Sequence, residues 1–204
     1  MGDKWTLLIV RDLASGPRRF VELQRVLPGI STEQLRSRLN RMVADGMLTR
    51  KRYREVPPRV DYALTERARE LMPILAELAK WGYAWAWGAP RFAEVVDIGA
   101  IFRLAPGLLR DMAASGTVEL RIDDMEDGTY TVSMGSGSAT VEHRQAERAD
   151  ATLAGDTASW VAAFSPHRDR SVLSISGDHR LAEQLLDGLS APAAAAAAAA
   201  SAVA

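Results

Sequence analysis

The sequence predicts an α+β protein of two modules: a helical module with a β-hairpin, and a smaller α+β module whose antiparallel-rich sheet is covered by helices. Three observations support this fold class. Apolar residues recur at helical spacing up to residue 88, they alternate with polar residues between 116 and 144, and Gly88-Ala89-Pro90-Arg91 forms a short linker between the two patterns. We therefore expect modules at residues 1–88 and 89–190, followed by an alanine-rich tail at 191–204.

Two short helices are predicted at the N-terminal end of the chain. Residues 4–14 carry an apolar set at helical spacing, and Ser15-Gly16-Pro17 interrupts it. Residues 20–27 make a second helix that ends at Pro28-Gly29.

A third helix is predicted over residues 31–45. Ser31 and Gln34 have the spacing of a capping box, in which each side chain satisfies a free backbone N–H of the other residue. Gly46 is suited to the left-handed conformation that ends many helices. One apolar stripe follows a 3.6-residue period and consists of Leu35, Leu39, Met42 and Val43.

A basic hairpin follows this helix directly. Residues 47–53 and 60–64 are typical of two strands, and the segment between them holds Pro57-Pro58, which cannot lie inside a strand ladder. Three helices and then a hairpin is the order of a winged helix-turn-helix, in which the third helix reads the major groove and the hairpin reaches phosphates or the minor groove. The alternative is an ordinary amphipathic helix with a solvated charged face.

The candidate DNA-binding residues lie on the outward face of the third helix and on the hairpin. Four of them are expected to approach base edges or nearby phosphates: Arg36, Ser37, Asn40 and Arg41. Arg38 lies at the edge of the apolar stripe, and Ser31 and Thr32 would present the helix N-terminus to a phosphate. The hairpin would hold the flanking backbone through Lys51, Arg52, Arg54 and Arg59.

Six motifs in this module resemble the HxlR-type winged-helix transcriptional regulators. They are G-D-K-W-T-L-L-I-V-R-D-L (2–13), R-R-F-V-E-L (18–23), G-I-S-T-E-Q-L-R-S-R-L (29–39), D-G-M-L-T-R (45–50), V-D-Y-A-L-T (60–65) and L-M-P-I-L-A-E-L-A-K-W-G (71–82). The resemblance implies a homodimeric DNA-binding regulator. Two features depart from the family pattern. The chain has no cysteine, which many members carry just upstream of G-x-K-W, and Ala68 stands where a glycine is usual.

A helix is predicted from Thr65 to about Trp87, with a kink or a restart at Pro73. Its apolar face is wide for a helix that leaves a small domain. This face either packs on its own domain or forms a dimer interface with the first helix, and the implied homodimer favours the interface. The candidate dimer residues are Trp5, Leu8, Leu78, Trp81 and Trp85.

The second module is expected to begin with an amphipathic helix over residues 102–114, which starts either at Phe102 or near Pro106. Alternation then predicts strands at 118–122, 130–134 and 139–144, and short apolar runs predict two more at 151–154 and 172–175. One helix should begin at Asp156 or Thr157, and another should follow Gly177-Asp178. A sheet covered by helices on one face is the resulting arrangement.

Residues 149–164 and 173–186 resemble the C-terminal part of sterol-carrier-protein-like domains. That family holds hydrophobic molecules in a cavity between its sheet and helices, so the resemblance implies a ligand site. The candidate lining is Phe102, Leu108, Leu109, Met112, Val132, Met134, Trp160 and Phe164. The alternative is a solid core, which would use the same residues.

Composition limits the other classes of function. Residues 1–70 hold 15 Lys and Arg against 9 Asp and Glu, a net charge of +6, whereas residues 71–204 carry −7. This asymmetry indicates a basic module that faces a polyanion, joined to an acidic one. No signal peptide or membrane span is predicted, and zero cysteines fit a cytoplasmic protein. Neither a cofactor nor a metal site is predicted, because His143, His167 and His179 lie in different elements without metal-ligand spacing. We therefore expect no enzyme.

The sequence favours a transcriptional regulator that binds double-stranded DNA as a homodimer through helix 31–45 and the basic wing 50–60, modulated by a hydrophobic ligand in the second module. The alternative is a carrier or sensor of lipids or other hydrophobic ligands, in which the winged helix is a platform for protein docking.

Overall fold

The computed structural model describes residues 4–54, 59–91, 94 and 96–190. Its first three helices are α1 (Lys4–Asp12), α2 (Phe20–Val26) and α3 (Thr32–Ala44). The predicted capping box is present: the Ser31 hydroxyl accepts from the Gln34 N–H at 3.1 Å, and the Gln34 side chain accepts from the Ser31 N–H at 3.2 Å. Gly46 follows the helix with φ of 68°. The prediction of a helix over residues 31–45 is therefore confirmed.

A small antiparallel sheet follows, with β2 (Leu48–Tyr53) and β3 (Arg59–Leu64) as the predicted hairpin. A two-residue strand, β1 (Arg18–Arg19), joins the far edge of β3, so the order is β1-β3-β2. Strand β1 was not predicted, because two residues are too few to show alternation. The hairpin tip, including Pro57-Pro58, lies outside the described residues.

The predicted long helix is divided into α4 (Glu66–Arg69) and α5 (Met72–Ala86). The Thr65 hydroxyl caps α4, and Pro73 lies in the first turn of α5, where its missing N–H costs no helical hydrogen bond. The restart predicted at Pro73 is confirmed.

The prediction of one continuous helix over residues 102–114 is wrong, whereas the predicted helix start near Pro106 is confirmed. The structure has two shorter helices, α6 (Gly99–Arg103) and α7 (Ala105–Leu108). Pro106 lies in the first turn of α7, which favours a new helix start at that point. Asp111 then takes the left-handed conformation with φ of 65° and donates its N–H to the Gly137 carbonyl at 2.9 Å, which turns the chain towards the sheet.

The second sheet has five strands: β4 (Gly116–Ile122), β5 (Thr129–Gly135), β6 (Ser138–Glu142), β7 (Ala151–Gly155) and β8 (Ser174–Gly177). Their order is β6-β5-β4-β7-β8, and every pairing is antiparallel except β4 with β7. The last strand starts later than predicted, because the Asp169 side chain accepts from the Ser171 N–H and begins a 3₁₀ turn over Arg170–Val172. Strand β6 ends at Glu142 rather than at residue 144.

Two further helices pack on this sheet, α8 (Thr157–Phe164), capped by Asp156, and α9 (His179–Leu189), capped by Asp178. Both starts were predicted. Between the helices and the sheet lies an aromatic cluster, in which the Phe102 ring centroid is 4.8 Å from that of Trp160.

The two modules share one hydrophobic core. Helix α1 contacts α6, and α5 contacts α7. At the second contact the backbones come close, because a Cβ on Gly107 would lie 2.4 Å from the Met72 carbonyl oxygen. The predicted tail at 191–204 lies outside the described residues. Among the described helices, none has the length and apolar character needed to cross a bilayer.

Candidate nucleic-acid interface

One face of α3 is buried and the opposite face is open to solvent. Leu35, Leu39 and Met42 are at most 2% exposed and hold the helix on the core. The exposed residues include all but one of the helix residues predicted to bind DNA: Ser31, Thr32, Arg36, Ser37, Asn40 and Arg41. Arg38 is half-buried, consistent with its place at the edge of the apolar stripe. The helix therefore presents hydrogen-bonding side chains to a single direction.

The wing adds exposed cations to this surface. Arg50, Lys51, Arg52 and Arg54 are all exposed, and the Lys51 ammonium lies 4.9 Å from the ring centroid of Tyr53. Within the described part of the chain, no carboxylate forms an ion pair with Arg36, Arg52 or Arg54. Arg41 does pair with Asp45 at 3.2 Å, but both side chains are mostly exposed, so this pair is weak.

Arg59 has a different position from the other wing cations. Its guanidinium donates to the Asp61 carboxylate through Nε at 2.9 Å and through Nη2 at 2.7 Å. Asp61 is 4% exposed and lies in the central strand, opposite Lys51 on one side and Arg19 on the other. The hydrogen bond from Arg59, reinforced by the charges of Arg59, Arg19 and Lys51, lowers the pKa of Asp61.

Asp61 is thus a buried counter-charge at the base of the wing, and sequence reasoning missed its role. The available signal was an acidic residue at an internal strand position between apolar neighbours, in Val60-Asp61-Tyr62. A buried carboxylate must be paired, and the cations that surround it are the available partners.

The acidic module leaves this surface open. Its contacts with the N-terminal module involve α1, α5 and the turn after α1, where the His143 N–H donates to the Ser15 carbonyl at 3.2 Å. The outward face of α3 and the described residues of the wing remain exposed. A duplex can therefore approach them without any movement of the second module.

The residues predicted to line a ligand cavity lie together in the second module. Met112 is partly buried, and the others are at most 8% exposed: Phe102, Leu108, Leu109, Val132, Met134, Trp160 and Phe164. They belong to the packed core, and the large cleft of the molecule is lined by other residues. A ligand among them stays a prediction.

The residues predicted for a dimer interface form an apolar surface. Leu78, Trp81 and Trp85 on α5 are 50%, 62% and 57% exposed, and Trp5 and Leu8 on α1 are half-buried. Among the described residues, no group of three or more His, Cys, Asp or Glu side chains is arranged to hold a metal ion.

Comparison with known proteins gives a consistent result over the N-terminal module. A family model for the HxlR-like helix-turn-helix matches residues 1–89. The chain is 42% identical over 85 residues to the uncharacterized HTH-type transcriptional regulator sll1512 of Synechocystis sp., a match covering 42% of this chain and 63% of that protein. It is 42% identical over 86 residues to the uncharacterized HTH-type transcriptional regulator YkvN of Bacillus subtilis, covering 42% of this chain and 73% of the relative.

A solved structure of the transcriptional regulator YodB from B. subtilis, in its reduced form, is 33% identical. The superposition covers 40% of this chain and 79% of that one, with a TM-score of 0.37.

Proposed function

The chain belongs to the HxlR-like helix-turn-helix family, and from this premise we propose that it is a transcriptional regulator that binds double-stranded DNA as a homodimer. One observation carries the proposal. The outward face of α3 and the neighbouring wing are both exposed, and the cations there without an ion pair in the described part of the chain include Arg36, Arg52 and Arg54.

In this proposal α3 enters the major groove. Arg36, Ser37, Asn40 and Arg41 approach base edges or adjacent phosphates, and Arg38 contacts the edge of the groove. Ser31 and Thr32 offer the helix N-terminus to a phosphate, where free N–H groups favour negative charge.

The wing divides its cations between two tasks. Lys51, Arg52 and Arg54 contact the DNA backbone, because their charges are exposed. Arg59 neutralises Asp61 and fixes the hairpin, so its contact with a phosphate is secondary. Specificity then depends on α3, while the wing supplies affinity that is independent of sequence.

The apolar stripe of α5 is the proposed dimer interface. Ile74, Leu78, Trp81 and Trp85 recur at helical spacing and are all at least half exposed. An exposed apolar patch of this kind marks an interaction site, and the same stripe on a second copy completes a twofold interface with Trp5 and Leu8 at its margin. Twofold symmetry would place two α3 helices on half-sites about one DNA turn apart.

We propose a sterol-carrier-like character for the second module. A five-stranded sheet with helices packed on it supports this reading, as does the aromatic cluster of Phe102, Trp160 and Phe164. A hydrophobic ligand would have to displace core side chains there. The alternative of a carrier with a protein-docking winged helix is not favoured, because the relatives are named transcriptional regulators. Such a regulator acts on chromosomal DNA, so we place it in the cytoplasm and assign it no catalytic activity.

The test of DNA reading is selection of duplexes from a random library by the full-length protein at a stated salt concentration. Asn40→Ala and Arg41→Ala should change the selected sequence, whereas Arg52→Ala should weaken binding to every sequence. Arg148→Ala is the matched control, because Arg148 is an exposed arginine of the acidic module. Absence of any enriched sequence, together with binding that does not depend on salt, would reject the proposal.

The dimer is tested by sedimentation velocity. Trp81→Glu should shift the protein to monomer, since the charge would lie inside an apolar interface. Val172→Glu is the control, because Val172 is also exposed, at 42%, but lies far from α5 in the sequence and outside the stripe. Equal association of both variants would exclude this face as the dimer interface.

A further inference from the structure

A large cleft lies between the two modules. Its volume is about 2190 Å³, and one wall is formed by the turn after α1 with α2 and α4, while the other is formed by β6 and the residues that follow it. Ligand pockets in proteins measure roughly 300–1,000 Å³, so a small molecule would fill only part of this cleft. The part with the most defined chemistry is the end where the modules touch.

At that end, polar groups of both modules converge. The His143 N–H donates to the Ser15 carbonyl at 3.2 Å, and the Arg103 guanidinium donates to the Tyr130 hydroxyl at 2.8 Å. The rings of Tyr130 and His143 stack with centroids 4.5 Å apart. Because the Tyr130 oxygen accepts from Arg103, its own O–H is available to donate to another group.

The charges at this end do not cancel. Arg103, which is 2% exposed, and Arg11 are together matched by two carboxylates, those of Asp12 and Asp97. Arg18 also lines the cleft, and no carboxylate of the described residues pairs with it. Burial is the main reason why the pKa of His143 is lowered, and the nearby charges of Arg18 and Arg103 lower it further.

Two buried polar atoms at the same end lack a hydrogen bond. They are the Ser15 hydroxyl oxygen and Arg103 Nε, which lies 3.0 Å from an Asp12 oxygen but without hydrogen-bonding geometry. Among the described residues these are the only such side-chain atoms, and both residues line the cleft. Buried polar groups normally have partners, and because Arg103 Nε already faces a carboxylate, it is the Ser15 hydroxyl that indicates a missing acceptor.

We infer that this end of the cleft binds the carboxylate of a small organic acid. Arg18 supplies the charge, and the hydroxyls of Tyr130 and Ser15 supply further donors. Arg18 is one cation without a carboxylate partner among the described residues, so its single charge suits a monoanion. A phosphate dianion would be repelled by Asp97 and Asp12. The cleft lining also includes the apolar side chains of Val26, Met72 and Pro106, which would accept the hydrocarbon part of the acid.

The regulatory consequence rests on the proposed function, whereas the binding itself does not. A ligand that contacts Ser15 and Arg18 of one module and Tyr130 of the other binds best to one relative position of the two modules. It can therefore change DNA affinity only through its different affinities for two such positions.

The experiment is isothermal titration calorimetry of the full-length protein with two carboxylates, benzoate and octanoate. Their amides, benzamide and octanamide, are the uncharged controls. At least one carboxylate should bind, and its amide should bind at least about tenfold more weakly, because a charge-assisted contact with Arg18 is lost. Arg18→Gln should weaken carboxylate binding by a similar factor, while Arg148→Gln, at an exposed arginine outside the cleft, should leave it unchanged.

A second variant keeps the test decisive if Arg18→Gln does not fold. Thr140 is exposed on the β6 wall, so Thr140→Trp narrows the cleft without entering the core and should also reduce binding. The inference is overturned if neither carboxylate binds, if the amides bind equally well, or if binding is unaffected by both variants. DNA binding is measured separately without ligand, so a protein that binds carboxylate but no DNA would reject the proposed function and leave this site standing.

Discussion

Loss of Arg52 from the wing should change the salt dependence of DNA binding by a predictable amount. The wing exposes four cations in the described chain: Arg50, Lys51, Arg52 and Arg54. If each contacts one phosphate, a dimer makes about eight contacts, and log K should fall with log salt at a slope of about −7. Arg52→Ala removes two contacts from the dimer, so its slope should be about −5.4.

The two slopes differ enough to be measured. Between 50 and 200 mM salt, wild-type affinity should fall by roughly four decades and that of the Arg52→Ala variant by roughly three. At 100 mM salt the variant should bind about 60-fold more weakly. Because phosphates carry no sequence information, this factor should be the same for specific and random duplexes.

Arg59 provides the internal comparison. Its guanidinium is already neutralised by Asp61, so Arg59→Ala should change the slope less than Arg52→Ala does, although both remove an arginine from the same hairpin. Fluorescence anisotropy of a labelled duplex at five or more salt concentrations measures all three slopes, with Arg148→Ala as the off-surface control. The assignment of the wing to phosphates would be refuted if the Arg52→Ala slope equalled that of wild type, or if the variant lost affinity for only one DNA sequence.

Three further predictions concern stability, measured by urea unfolding. The pKa of Asp61 lies below its ordinary value of 3.8, so its charge stabilises the fold above that pH, and this contribution is lost as pH falls through the folded pKa. The wild-type protein should therefore lose more stability below about pH 4 than the Asp61→Asn variant does. Parallel plots of unfolding free energy against pH for the two proteins would contradict this role of Asp61. Asp12→Ala leaves the buried Arg103 with one carboxylate fewer and should lower the unfolding free energy by about 3–5 kcal/mol. The double variant Asp12→Ala/Arg103→Met should lose much less stability than the sum of the losses in the two single variants. Gly107→Ala should cost about 1–3 kcal/mol because its Cβ would meet the Met72 carbonyl, whereas Gly82→Ala, with open space around it, should gain up to about 1 kcal/mol; equal effects would contradict the close approach of α5 and α7.

The parts of the fold that local signals specify could be predicted from the sequence. The Ser31 capping box fixed the start of α3, Gly46 its end, and Pro73 the restart of α5. Strict alternation located β4 and β5 for the same reason, since side chains of a strand point to opposite faces in turn. The exposed face of α3 follows from its buried stripe, so the exposure of the candidate DNA-binding residues on this helix was predictable as well.

Features that depend on distant contacts were missed. The helix predicted over residues 102–114 failed because the left-handed turn at Asp111 is stabilised by the Gly137 carbonyl, which no local pattern reveals. Asp61 reads as an ordinary strand residue until β1 and β2 bring Arg19 and Lys51 to either side. The linker at residues 88–91 suggested two separate modules, yet the chain forms a buried ion pair between them.

That ion pair determines how the second module can influence DNA binding. Helix α1 ends in Asp12, which is fully buried against Arg103 of α6, and the same helix contacts both α3 and α5. Separation of the modules would break this pair and expose to water the apolar residues that both modules bury in one core, and at about 25 cal/mol per Å² of apolar surface this cost exceeds the roughly 1–3 kcal/mol of most allosteric couplings. A ligand in the cleft should therefore act by rotating one module relative to the other about α1 rather than by parting them. Because α1 contacts α3 and α5, the proposed DNA-binding and dimer helices, such a rotation would change the spacing of the two α3 helices and hence the match to DNA half-sites.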